Sequence, residues 1–180
     1  VEIYFCADKE NYASYMPSYA QQYEVSDNEA TSYYEQTLKL VDKYAAYNKN
    51  ITVQYVDTQS SEFSPIAAKY KSDGIGYGDI LVVSTKNGVE RHKVVRYKDI
   101  YNLTQNQEYA AYGYNIYTVS GNNIENALTS AVSYVVSLET KKIGFITGHS
   151  AKDYTADYQK MLKENNYEIK SFNDICDVYI

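Results

Sequence analysis

Residues 128–150, LTSAVSYVVSLETKKIGFITGHS, constrain the fold more than any other stretch. They read as a helix, a short turn, a buried strand, and then Gly148-His149 where the strand runs out. The helical pattern starts near Ile124. Ile124, Leu128, Ala131 (with Val132) and Val135 fall on one helical face. Residues 142–147, KIGFIT, are a short apolar run of the kind a buried strand shows. An apolar helix face feeding a buried strand requires at least two packed layers, so the chain is expected to be α/β.

The first half repeats that logic. Residues 1–6, VEIYFC, and 51–56, ITVQYV, are β-prone runs separated by a helical stretch. Ser26-Asp27-Asn28-Glu29 has the form of a capping box opening a helix to about Asn48, with Tyr34, Leu38, Val41 and Ala45 along one face. Residues 8–25 read as loop or irregular helix. Ser64-Pro65 reads as an N-cap and first helical position. Residues 79–85, DILVVST, form the most apolar strand of this half. Asn87-Gly88 signals a hairpin to a more polar strand near a sheet edge. A right-handed crossover makes the first two strands parallel, and the hairpin adds an antiparallel pair, the order of a thioredoxin-like unit.

Residues 99–123 are polar and rich in Tyr, and read as a connector with one strand at 114–119. After the helix and KIGFIT come an amphipathic helix at 153–165, with Ala156, Met161 and Leu162 as its apolar positions, a strand at 167–172 and the start of another at 175–180. This is the opening of a parallel open sheet. The expected organisation is a thioredoxin-like unit over 1–98, the connector over 99–123, and the start of a second, truncated α/β unit over 124–180. A first residue other than Met and a last residue inside a strand pattern give the expectation of an excised fragment.

The net charge of −6 argues against nucleic acid and against anionic lipid as nonspecific partners, since both reward a basic surface. No apolar run is long enough to span a bilayer. The 23 Tyr, with no Trp and 4 Phe, leave two readings open. Tyr either replaces Phe and Leu in the core or builds a partner- or glycan-binding face, for which Tyr112 and Tyr114 are the first choices. Cys6 and Cys176 form no metal or redox motif and read as buried free thiols, with a disulfide as the alternative.

His149, with Gly148 and Thr147, lies at the carboxyl end of a strand, where open α/β sheets place their ligand crevice. It has no Ser, Cys or second His in motif spacing, and His92 reads as a surface residue, so neither a catalytic set nor a metal site is expected. Asp57, also at a strand end, is a ligand contact or a turn former. Cys6 ends the first strand, where thioredoxin-like enzymes carry a thiol. A second Cys is missing, and Asp8 beside it would raise the thiol pKa. Gly74-Ile75-Gly76-Tyr77-Gly78 precedes a strand instead of opening a helix, unlike a phosphate loop.

Four blocks in order carry a family resemblance: ITVQYVD at 51–57, SPIAAKYKSDGI at 64–75, ENALTSAV at 125–132 and KIGFITGH at 142–149. Together they resemble the extracytoplasmic domain of GldG-like proteins, auxiliary components of the ABC-2 type transport systems associated with gliding motility. That family often continues T-G-H-G-E, where this chain has Ser150-Ala151. The resemblance implies a thioredoxin-like unit followed by the start of a class I glutamine-amidotransferase-like unit. It implies a membrane-anchored parent protein with this part outside the cytoplasm, ABC permease and ATPase subunits as partners, and a possible cell-envelope ligand. No cofactor is implied. The expected role is a noncatalytic binding module. A thiol-redox or hydrolytic enzyme and a structural spacer are the alternatives.

Overall fold

A computed structural model describes residues 1–26, 30–145, 155–171 and 174–179. Strands β1 (Glu2–Phe5), β2 (Thr52–Tyr55), β3 (Ile80–Lys86) and β4 (Val89–Val95) form one sheet in the order β2-β1-β3-β4. β1 is parallel to β2 and antiparallel to β3, and β3 is antiparallel to β4. Asn87 and Gly88 both take positive φ, 53° and 76°, the turn that matches strand twist in a two-residue hairpin. β4 lies at the sheet edge, as its polarity predicts.

Period-two alternation sends the side chains into two layers. Ile3, Phe5, Ile80, Val82 and Val95 join the main core with α1 (Tyr12–Tyr19), α2 (Thr31–Tyr47) and α6 (Ile124–Val136). Leu81 and Val83 pack on the other face with Tyr70 and Ile66, from α3 (Phe63–Lys69) and its C-cap. β3 is therefore covered on both sides, which is why its sequence is apolar almost without alternation. Ile124, Leu128, Ala131 and Val135 of α6 are all buried, as their spacing predicts, and α6 lies against β3 and β4.

Several local expectations are corrected. α2 begins at Thr31 with Ala30 as its N-cap, and no described side chain caps it. Ser26 instead gives its N–H to the Tyr117 carbonyl at 3.0 Å, and Asp27, Asn28 and Glu29 lie outside the described residues. Thr37 takes an inward position beside Tyr34 and Val41, while Ala45 is exposed. α3 starts one residue before Ser64, so Pro65 sits at the third helical position, where its missing N–H still has no intrahelical partner to lose. Residues 12–19 form a regular helix with Pro17 inside it.

The Tyr-rich stretch is not a connector with one strand. After a short helix α4 (Tyr97–Ile100), β5 (Tyr101–Gln105) pairs antiparallel with β6 (Tyr117–Asn122), and α5 (Gln107–Ala111) sits at the tip. The pairing slips by one residue at Asn102/Leu103. Tyr101 drives this arrangement. It is buried, and its hydroxyl lies 2.8 Å from that of Tyr12 and 2.8 Å from that of Thr37. Thr37 donates to the Tyr33 carbonyl at 3.0 Å, so Tyr101 must donate to Thr37 and Tyr12 to Tyr101. Asn122, opposite Tyr101 on β6, donates to both the Thr37 hydroxyl and the Tyr33 carbonyl.

The third sheet is parallel throughout, β8-β7-β9, built from β7 (Lys142–Phe145), β8 (Glu168–Ser171) and β9 (Val178–Tyr179). Helix α7 (Thr155–Glu164) connects β7 to β8 and buries Leu162 with Ile143 and Phe145, while Ala156 and Met161 are exposed. Gly144 permits the close approach of β9. A Cβ there would lie 2.9 Å from Cys176 Sγ and from a Tyr179 ring carbon. The chain is thus a mixed α/β protein. No described helix is long and apolar enough to cross a membrane.

Tyr101→Phe would strand the Tyr12 hydroxyl without an acceptor and is expected to cost about 1–3 kcal/mol in denaturant unfolding. Tyr12→Phe in the same background should add less than it costs alone. Full additivity of the pair would refute the hydroxyl chain. Burial also raises the pKa of Tyr12, Tyr97 and Tyr101, so their protonated forms stabilise the fold. That contribution is complete below the unfolded tyrosine pKa of about 10 and is lost as pH rises above it. An alkaline titration should therefore show a late set of tyrosines ionising together with loss of circular dichroism, not before it.

Candidate functional site

The carboxyl ends of the parallel pair β1 and β2 open onto a crevice of about 230 Å³. Asp8 and Asn11 reach it from the turn after β1, Tyr15 from α1, Asp57 and Gln59 from the turn after β2, and Tyr77 from the glycine-rich loop before β3. This is the end of an α/β sheet at which ligands are bound, because the connections diverge there.

Each turn is fixed by its own Asp. Asp8 accepts the Glu10 N–H at 3.0 Å and the Asn11 side-chain amide at 2.5 Å. Asp57 Oδ1 accepts the Gln59 N–H at 3.0 Å, and its carbonyl accepts from the Ser60 N–H and hydroxyl. Asp57 is therefore both a turn former and a lining residue. Tyr77 meets Tyr15 edge-on at 4.9 Å between ring centres and stacks on Tyr12 at 6.2 Å, which couples the crevice wall to the core. Burial, followed by the charge of Asp8 and then Tyr15 and Asp57, pushes the Tyr77 hydroxyl up to about 12, so it is a neutral donor at ordinary pH. The crevice combines aromatic faces with carboxylate and amide groups. Among the described residues its lining holds no Ser, Cys, His or Lys.

Cys6, just behind this crevice, is buried and its thiol is pushed up to about 12. Burial is the main cause and the charge of Asp79 the second; Asp8 is not among them, contrary to expectation. A thiol of this kind stays protonated and is a poor nucleophile. Cys176 is also a free thiol but only half-buried.

Asp79 itself is buried. It accepts the Gly76 N–H at 2.8 Å and pairs with Arg96, which also donates to the carbonyls of Asp73 and Gly74. The Gly76 N–H and the Gly74 carbonyl of this loop are thus spent on an internal ion pair. Burial still raises the Asp79 pKa against the opposing pull of the Gly76 N–H and Arg96.

Of the residues singled out from sequence, Asp57 alone lines the crevice. Tyr112 and Tyr114 are 81% and 62% exposed and sit between α5 and β6, on the hairpin tip. Thr147, Gly148 and His149 lie outside the described residues. His92 is not a simple surface residue. Its ring lies 3.1 Å from Asp73 and packs on Tyr70. Among the described residues no group of His, Cys, Asp and Glu is arranged to hold a metal. Asp8 was legible as the residue just past the first strand, in the position Asp57 holds after the second. Tyr15 and Tyr77 carried no such signal, because helix packing and a glycine-rich loop bring them in.

Comparison with protein-family models, with curated proteins and with solved structures finds no match to this chain.

Alkylation of the native protein near neutral pH should label Cys176 and spare Cys6 until denaturant is added, as read by peptide mass spectrometry. Equal labelling rates for the two thiols would contradict the burial of Cys6.

Proposed function

We propose that this chain is a noncatalytic binding module, an extracytoplasmic auxiliary domain of an ABC-2 type transport system. In this reading residues 1–98 form a thioredoxin-like unit that has lost redox chemistry, and the parallel sheet after α6 is the start of an amidotransferase-like unit. One observation carries the noncatalytic reading. At the strand end where such a unit would keep a reactive thiol, Cys6 is buried and protonated, and the space beside it is an aromatic and carboxylate crevice.

The order β2-β1-β3-β4, with its parallel and antiparallel neighbours, supports the thioredoxin-like assignment. The likeness of ENALTSAV and KIGFITGH to the GldG-like family supports the transport role. Within those blocks Leu128, Ala131, Ile143 and Phe145 are core residues, so the likeness speaks to architecture more than to a site. The crevice suits a small hydroxylated group. Tyr15 and Tyr77 offer ring faces, while Asp8, Asn11, Asp57 and Gln59 offer donors and acceptors. The membrane anchor and the contacts with permease and ATPase belong to the same reading.

The immobilised chain should retain the permease from detergent-solubilised membranes or a neutral glycan from the cell-envelope fraction. Cys6→Ser should retain either as well as the parent does. Tyr77→Ala should weaken glycan retention about tenfold, a loss of the order expected for one aromatic contact. Retention of neither partner would sink the module reading. Insulin reduction by the parent chain, abolished in Cys6→Ser, would establish the redox alternative.

A further inference from the structure

A second cleft, of about 720 Å³, lies away from the crevice, where β4, α4 and α6 meet α7. Lys93, Lys98, Lys160 and Lys163 line it against two carboxylates, Asp99 and Glu164. Both carboxylates are engaged. Asp99 accepts the Arg96 N–H at 2.8 Å, and Glu164 pairs with Lys160 at 3.9 Å. The chain as a whole carries a net charge of −6, so this basic cleft runs against its overall sign.

Lys93 is the informative member. It stands on β4, half-buried, and forms no ion pair with any described carboxylate. Its ammonium is held by the side-chain oxygen of Asn166 at 2.5 Å. Asn166, just past α7 with φ 67°, gives its amide to the Ser130 carbonyl at 2.8 Å and hydroxyl at 3.1 Å, which locks the site between α6 and α7. Burial lowers the Lys93 pKa, and the charge of Asp99 across the cleft offsets this only in part. Lys98 and Lys163 likewise form no ion pair among the described residues. The side-chain amides of Asn102 and Asn126 also line the cleft and donate to no described residue, which leaves them for hydroxyl groups.

The cleft does not end there. It shares Lys93 and Lys163 with a depression of about 660 Å³ that reaches Tyr134 and Tyr167. It shares Lys98, Asn102 and Lys160 with another of about 470 Å³ that reaches Tyr23 and Tyr117. The result is a track of ammonium groups, amides and tyrosine rings longer than one small molecule needs, with Asp73 (held by His92) and Glu168 (paired with Lys170) at one end and Glu24 at the other.

We infer that this track binds an extended phosphate-bearing polyol or glycan chain, with the lysines on its phosphates and the amides and tyrosines on its hydroxylated units. Lys meets phosphate as a point charge, and the amides supply paired donors and acceptors. This inference is independent of the transport reading and of the crevice beside Cys6.

Titration calorimetry of the intact chain with a poly(glycerol phosphate) oligomer, glycerol phosphate, inorganic phosphate, neutral dextran and a single-stranded DNA oligomer of equal charge tests it. The oligomer should bind, more weakly as salt rises, and at least tenfold tighter than glycerol phosphate or inorganic phosphate. Lys93→Gln with Lys163→Gln should weaken it at least tenfold. Lys98→Gln with Lys163→Gln, both on exposed positions that tolerate change, should weaken it several-fold. Lys43→Gln, on the exposed part of α2, should leave it unchanged. Unaltered affinity in both double variants overturns the site. Dextran binding as tightly as the oligomer overturns the role of phosphate, and DNA binding as tightly overturns the polyol assignment. Monomer binding as tightly overturns the extended track.

Discussion

Three buried hydroxyls in a row hold the centre of this protein: Tyr12 to Tyr101 to Thr37, ending on the Tyr33 carbonyl. They link α1 and α2 to β5, which lies far along the chain from both. A buried hydroxyl left without a partner costs more than a made hydrogen bond gains, so the three elements hold one mutual position or lose all three bonds. Ring packing reinforces this. Tyr101 meets Tyr34 edge-on at 5.1 Å and Tyr97 at 4.8 Å, and the Tyr34 and Tyr97 hydroxyls lie 3.1 Å apart. A core built from Tyr instead of Phe thereby gains direction as well as area.

The rest of the molecule hangs from that centre. The Tyr12 ring stacks on Tyr77 and so sets one wall of the crevice. Arg96, just ahead of Tyr97, gathers Asp79 and the 74–78 loop and so brings Tyr77 to the strand ends. On the far side Arg91 closes the end of α6. It donates to the Ser137 carbonyl at 2.9 Å and the Thr140 hydroxyl at 2.7 Å while lying over the Tyr134 ring. A cation at that end of a helix meets its unpaired carbonyls and favourable dipole. With Asn166 it ties the parallel β8-β7-β9 sheet to α6 and β4, and the lysine track runs along that seam.

Legibility in the sequence followed periodicity. The inward face of α6, the strongly apolar strand β3 and the Asn87-Gly88 hairpin could be read directly, because one apolar pattern or one turn dipeptide specifies each. The β5–β6 hairpin could not. Its inward residue is Tyr101 and its cross-strand partner is Asn122, so the stretch scans as polar although its contacts are those of a core. The start of α2 is hidden from the sequence for a related reason. Ser26 looked like a cap, but its N–H was already committed to Tyr117, distant in sequence.

By itself the sequence determined the layered α/β character, the order of the strands β1 to β4, and Asp57 as a strand-end position beside the crevice. These follow from local patterns and from the handedness of strand connections. Only the tertiary structure decided which tyrosines are core and which are surface, that Cys6 is an inert thiol, and that Lys93, Lys98, Lys160 and Lys163 share one cleft. Those properties depend on which groups lose water and which find a partner, and no pattern along the chain specifies either.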